Sequence, residues 1–207
     1  VSDSNGGSAT STGSTLIENR SPSISSVSIS PSSPGSQDVL TCSVTSSDLD
    51  GETLTESMEW FVAGSSVSTG MTIDLSSVGA GPNDTVECVV VVEDPSGDSD
   101  QQSSTITILN TNPTIDVLTL NPVEPTLNDT LSCYAESSDV DGDTPTLSFS
   151  FTNQNTGSTF IPTTTSTNVA TLDVSSTDAD YDHVLTCSVT STDSDGGSAT
   201  SSINTTI

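Results

Sequence analysis

The stretch from Pro22 to Trp60 recurs 91 positions further on, and this recurrence restricts the possible folds more than any other feature of the chain. With Cys42 laid on Cys133, Pro22 falls on Pro113, Ile24 on Ile115, Pro31 on Pro122, Pro34 on Pro125, Asp38 on Asp129, Leu40 on Leu131 and Trp60 on Phe151. An internal period of about 90 residues implies an array of similar units, each stacking on the next. The ends belong to the same pattern, since Gly7-Ser-Ala-Thr-Ser11 repeats Gly197-Ser-Ala-Thr-Ser201. Residues 1–18 therefore read as the terminal strand of a preceding or neighbouring-subunit repeat, 19–110 as repeat 1 and 111–207 as repeat 2.

A unit of this size supports one modest core, and small extracellular modules add a covalent staple. Four cysteines occur as one pair per repeat, with no Cys-x-x-Cys and no histidine-rich setting to suggest zinc or redox chemistry. The expectation is two structural bridges, Cys42–Cys88 and Cys133–Cys187, and hence an extracellular or cell-surface location. Charge narrows the partners. The chain has 28 acidic residues, Arg20 as its single Lys or Arg, and a formal net charge of −27. Such a field repels nucleic acid and anionic membranes and favours cations.

Short alternating runs bounded by Pro, Gly, Asn and Asp give a strand-and-turn pattern with no helical period. Repeat 1 predicts strands at Ser23–Ile29, Val39–Thr45, Met58–Val62, Met71–Leu75, Thr85–Val92 and Thr105–Leu109, with a short, poorly marked strand between the third and fourth. Leu40, Cys42 and Val44 face inward on one side, Val86, Cys88 and Val90 on the other, and Met58, Trp60 and Val62 fill the space between. In repeat 2, Phe151 takes the place of Trp60. The second cysteine is displaced by 99 rather than 91, so Gln154–Asn168 is the variable loop.

A cysteine, an aromatic residue 18 positions on, and a second cysteine 46 or 54 after the first resemble the immunoglobulin-like sandwich. The tyrosine that antibody domains carry two residues before the second cysteine is Val86 or Leu185 here. A nearer likeness is to PKD-like and cadherin-like repeats of prokaryotic surface proteins, through Ser47-Asp-Leu-Asp-Gly-Glu-Thr-Leu-Thr55 and Ser138-Asp-Val-Asp-Gly-Asp-Thr-Pro-Thr146. The resemblance implies an all-β fold: tandem immunoglobulin-like β-sandwiches of about seven strands, one bridge in each, with Trp60 and Phe151 packed on the bridges.

The aspartates are the one chemical constellation. Asp48, Asp50 and Glu52 around Gly51, and Asp139, Asp141 and Asp143 around Gly142, set hard oxygen ligands at alternate positions, as calcium requires. In a seven-strand sandwich the loop before the last strand lies at the same end. That adds Asp94 and Asp98, or Asp193 and Asp195, and the incoming linkers supply Glu18 and Asn19, or Asn110 and Asn112. Calcium at the junctions is the expected cofactor, set against the plainer reading of good turn formers. His183 reads as an exposed loop residue. Acid pairs such as Asp180 and Asp182 lack a foreseeable aromatic-lined cleft, so no enzyme is expected. Asn19, Asn83, Asn128 and Asn204 head N-x-S/T sequons, acceptors for surface glycosylation.

The expected function is that of a structural unit of an extracellular filament or surface stalk, stiffened by disulfides and junctional calcium. Its partners would be further copies or adjacent repeats, end to end, with residues 1–17 completing another sandwich. The end-to-end array is favoured over donation because both repeats keep a last strand, at Thr105–Leu109 and Ser198–Ile207. The alternative is an adhesin segment that binds a glycan or protein through its loops, which offer only Phe160 and Tyr181 as exposed aromatics.

Overall fold

The computed structural model describes residues 1–2 and 4–207; Asp3 lies outside the described residues. The first group of strands is β1 Ser23–Ser30, β2 Val39–Ser47, β3 Thr55–Val62, β4 Ser65–Thr69, β5 Thr72–Asp74, β6 Thr85–Glu93 and β7 Ser99–Thr107. The second is β8 Thr114–Asn121, β9 Thr130–Ser138, β10 Thr146–Asn153, β11 Thr159–Phe160, β12 Thr164–Thr165, β13 Val169–Asp173, β14 Val184–Thr192 and β15 Ser198–Thr206. Sheet β1-β2-β5 packs on β4-β3-β6-β7, and sheet β12-β13-β9-β8 on β11-β10-β14-β15, with every pairing antiparallel. These are two immunoglobulin-like sandwiches with the same core strand order.

Period-2 alternation builds each core. Leu40, Cys42, Trp60, Val86, Cys88 and Val90 are buried in the first, and Leu131, Cys133, Phe151, Leu172, Leu185 and Cys187 in the second. Trp60 donates from Nε1 to Gly70 O at 2.9 Å, so its ring is buried without an orphaned N–H. The Cys42–Cys88 bridge ties β2 to β6 and Cys133–Cys187 ties β9 to β14, across separations of 46 and 54 residues. Loops of that length make each bridge worth about 4 kcal/mol in the chain-entropy model, a large share for cores this poor in aromatics.

Three details refine or correct the expected strands. Strand β7 begins at Ser99, not Thr105. The weak strand after β3 joins β3 itself, pairing Glu59 with Thr69 and Val62 with Ser65. The variable loop of the second sandwich supplies two short edge strands, β11 beside β10 and β12 beside β13. The described residues among 1–17 form no strand in any of the four sheets. They are exposed, with Ser2 bridged to Ser8 and Leu16 and Ile17 in solvent.

Candidate metal centre

The acidic loops fold the same way twice. Asp48 Oδ1 accepts from Asp50 N at 2.6 Å, and Asp139 Oδ1 from Asp141 N at 2.7 Å, so each first aspartate spends one oxygen on closing its own turn. Gly51 and Gly142 complete the turns at φ 78° and 93°, where a Cβ would be strained. Asp94 and Asp193 organise the second loop in the same manner. Asp94 Oδ1 accepts from Ser96 N and Asp98 N, and Asp193 Oδ1 from Asp195 N and Gly197 N. The incoming linker is pinned by Asn19 Nδ2, which donates to Asp94 Oδ2 and Asp98 Oδ2, and by Asn110 Nδ2, which donates to Asp193 Oδ2 at 3.0 Å.

What these bonds leave over is the informative part. Asp48 Oδ2 and Glu52 Oε2 at the first end, and Asp139 Oδ2, Asp143 Oδ2 and Asn110 Oδ1 at the second, are buried with no hydrogen-bond partner. Asp48, Glu52 and Asp94 each bring an oxygen within 4.8 Å of the other two. Burial, and then the charges of Asp94, Asp48 and Asp50, push the Glu52 carboxyl above the ordinary glutamate value. Burial, with the neighbouring Asp141, Asp193 and Asp143, does the same to Asp139. Asp94 and Asp193 go the other way, held below the usual range first by the amides of Asn19 and Asn110.

Asp50 and Asp141 are turned to a different task. Asp50 Oδ2 accepts from Arg20 N at 2.8 Å, and Asp141 Oδ2 from Thr111 N at 2.7 Å, so both anchor the linker. Asp141 Oδ1 also accepts from Ser36 Oγ at 2.5 Å, and Asp195 Oδ1 accepts from Asn83 Nδ2 at 2.9 Å. Ser36 and Asn83 lie at the lower end of the first sandwich, so this is the joint between the two sandwiches. Gln37 adds a bond to Val140 O at 3.3 Å. Neither Ser36 nor Gln37 carries a motif, and Asn83 reads from sequence only as a sequon. Asn128 and Asn204 are exposed, whereas the Asn19 and Asn83 amides are engaged.

Gly197 explains how the second end closes. A Cβ there would meet Asp193 Oδ2 most closely, then Asn110 Nδ2 at 2.6 Å and Asn112 Oδ1 at 2.7 Å. The backbone thus approaches the Asn112 side chain, which puts Asn112 in the cluster. His183 departs from the exposed-loop expectation: it is half-buried, and its Nδ1 accepts from Asp180 N and meets the buried Asn153 amide.

The donor set is oxygen only, carboxylates with one amide carbonyl, which fits a hard cation of calcium type and no thiolate- or imidazole-seeking metal. At the first end Asp48, Glu52 and Asp94 would hold it; at the second, Asp139, Asp143, Asp193 and Asn110.

Strand order and inter-sheet bridges define both units as immunoglobulin-like. No protein-family model matches the chain, and no curated protein matches it in sequence. Among solved structures it is similar to the fibronectin(III)-like modules of Clostridium thermocellum CbhA, with 14% identity over 90% of this chain and 93% of that one, TM-score 0.35. It is also similar to the three N-terminal domains of the bacteriophage RB49 highly immunogenic outer capsid protein, with 15% identity over 89% and 69% and TM-score 0.39. A third is a structure of a 1.5-MDa bacterial ice-binding adhesin, concerned with host cell surface retention, with 18% identity over 91% and 65% and TM-score 0.38.

Proposed function

We propose that the chain is a structural segment of an extracellular or cell-surface rod, whose sandwiches are stapled by disulfides and whose junctions are stiffened by calcium. The observation that carries this reading is the duplicated set of buried, unpartnered oxygens, Asp48 with Glu52 and Asp139 with Asp143. An unsatisfied buried carboxylate is costly, and one such pair is an accident more easily than two at matching positions. A cation satisfies these oxygens and ties the linker to the loops of the sandwich below, directly through Asn110 at the second end and through the Asn19–Asp94 bond at the first. Paired bridges support the location, since structural disulfides form and persist chiefly in oxidising surroundings.

The test is small-angle scattering of the whole chain in calcium and in chelator. Calcium should lengthen and narrow the distribution of end-to-end distances while circular dichroism stays unchanged. Identical profiles would sink the reading.

An adhesive role has one observation in its favour, and it lies on a sheet face, not on the loops. Phe61, Val89 and Val91 point outward from β3 and β6 and, with Met58 and Glu59, line a groove of about 410 Å³. The matching positions of the second sandwich are Thr152, Ser188 and Thr190.

A further inference from the structure

We infer that the upper end of the first sandwich is a seat for the lower end of the second sandwich of another copy, with Arg20 facing Asp129 and Ser96 facing Asp182. The inference rests on the rod reading and names the partner at the upper joint.

The joint inside the chain supplies the template. There the lower loops of the first sandwich, through Ser36 and Asn83, donate to Asp141 and Asp195 at the top of the second. Thr111 Oγ1 lies 3.7 Å from where a Cβ on Gly35 would stand, and Asp38 Oδ2 is 4.0 Å from the same point. The top of the first sandwich is built to the same plan. Arg20 N holds Asp50 as Thr111 N holds Asp141, and Asn19 holds Asp94 as Asn110 holds Asp193. Beside these contacts lies an open hollow of about 270 Å³ lined by Ile17, Glu18, Asn19, Asp50, Glu52 and Ser96.

The residues that change between the two joints change together. Asn83 becomes Asp182 at the lower end of the second sandwich, both with left-handed backbone at φ 67° and 66°. Its opposite number changes from Asp195 to Ser96. The amide-to-carboxylate bond inside the chain thus becomes a hydroxyl-to-carboxylate bond between copies, with donor and acceptor exchanged. Thr111 becomes Arg20, the single Lys or Arg of the chain, and the loop it would meet runs from Pro125 to Asp129. That loop holds its carboxylate in place, since Asp129 Oδ2 accepts from Thr126 N at 2.7 Å and from Thr126 Oγ1 at 2.8 Å. Ser36 becomes Leu127, which has no proton for Asp50, and Asp50 Oδ1 instead has Arg20 Nε at 3.8 Å. A chain of net charge −27 repels its own copies over most of its surface, so one cation placed at this end, opposite a fixed carboxylate, selects a head-to-tail approach. A head-to-tail contact of this kind propagates as a filament wherever its rotation does not close a ring.

Contacts this few are weak between free chains, so the experiment must read transient encounters. Unlabelled full-length chain carrying a nitroxide at Tyr181→Cys, a site 71% exposed, is mixed in calcium with 15N-labelled chain. Broadening should concentrate on the amides of Leu49–Glu52 and Ser96–Asp98. Arg20→Glu or Ser96→Asp in the labelled chain should each abolish it. Adding Asp182→Asn to the nitroxide chain should restore it for Ser96→Asp, because that pair rebuilds the internal Asn83–Asp195 contact. Broadening that is absent, spread over the lateral sheet faces, or indifferent to Arg20→Glu overturns the inference. Calcium-dependent scattering without end-specific broadening would leave the rod reading standing and remove this partner.

Discussion

Replacing Gly197 with alanine tests the geometry of the second junction at one atom. The added Cβ would crowd Asp193 Oδ2, Asn110 Nδ2 and Asn112 Oδ1, the last two at 2.6 and 2.7 Å, closer than real Cβ atoms approach their neighbours. These are not loose side-chain ends. Asp193 is held through Oδ1 by the N–H groups of Asp195 and Gly197, and through Oδ2 by Asn110 at 3.0 Å. Relief therefore requires the loop to shift or the linker to detach, and overpacking of this kind costs about 1–3 kcal/mol. For a domain of this size each kcal/mol lowers Tm by roughly 4–8 °C, so the second sandwich should melt about 4–24 °C lower. Calcium binding at the second end should weaken while the first end is untouched, because the position matching Gly197 there is Asp98, whose carboxylate accepts from Asn19. Calorimetry in calcium and in chelator reads both effects. A variant that melts within a degree of the parent and binds calcium equally at both ends would refute the close-approach argument.

Calcium itself should stabilise each sandwich: with a Kd of ~0.1–1 mM, about 10 mM ion adds about 1.4–2.7 kcal/mol per site. Glu52→Gln should remove that gain at the first end alone, as read by thermal unfolding. Because the Glu52 and Asp139 carboxyls sit above their ordinary values, protons compete there, and calcium affinity measured by titration calorimetry should fall as pH drops through that raised range. Asp178 has the opposite sign. Hydrogen bonds led by Ser158 hold it below the usual aspartate range, so its contribution is present above the unfolded value and lost as the pH falls below that value through the lowered folded one. Asp178→Asn should flatten that acid limb in urea titrations. Intact mass after alkylation without reductant should show no modified cysteine, and reduction should destabilise each sandwich by about 4 kcal/mol.

The strands that alternate apolar and polar residues are legible, and those that do not are faint or cut short. β2 and β6 announce themselves through Leu40–Cys42–Val44 and Val86–Cys88–Val90. The first half of β7 does not, because its inward positions are Asp100 and Gln102. Those side chains bond the first strand instead of filling a core: Asp100 Oδ2 accepts from Ile24 N at 2.7 Å, and Gln102 Nε2 donates to Ile24 O at 2.9 Å. Polar residues that satisfy a neighbouring backbone carry no hydrophobic period. The same applies to Asn153, fully buried at the end of β10 and bonded to Asp178 and His183. At the candidate metal centre, spacing singles out the acidic loops but not the division of labour within them. Alternate aspartates look equivalent along the chain, and only the folded turn sends Asp48 and Glu52 inward while Asp50 faces the linker.

That division bears on how copies meet. Residues 1–17 follow 191–207 closely, with Ala9, Ser11, Thr15 and Ile17 standing where Ala199, Ser201, Thr205 and Ile207 stand in and after β15. Exchange of the segment into the second sandwich of another copy would need it to replace β15. Gly13 falls at Ile203, whose side chain packs against the second core. The exchanged strand would forfeit that apolar contact and leave a gap, and glycine adds its own entropic cost within a strand. Exchange at this acceptor therefore costs apolar contact, whereas stacking on the proposed seat of Arg20, Asp50 and Ser96 would leave β15 in place. A rod extended by stacking keeps every sandwich complete, and its stiffness then depends on the linker pins and on the cation that the inward carboxylates would hold.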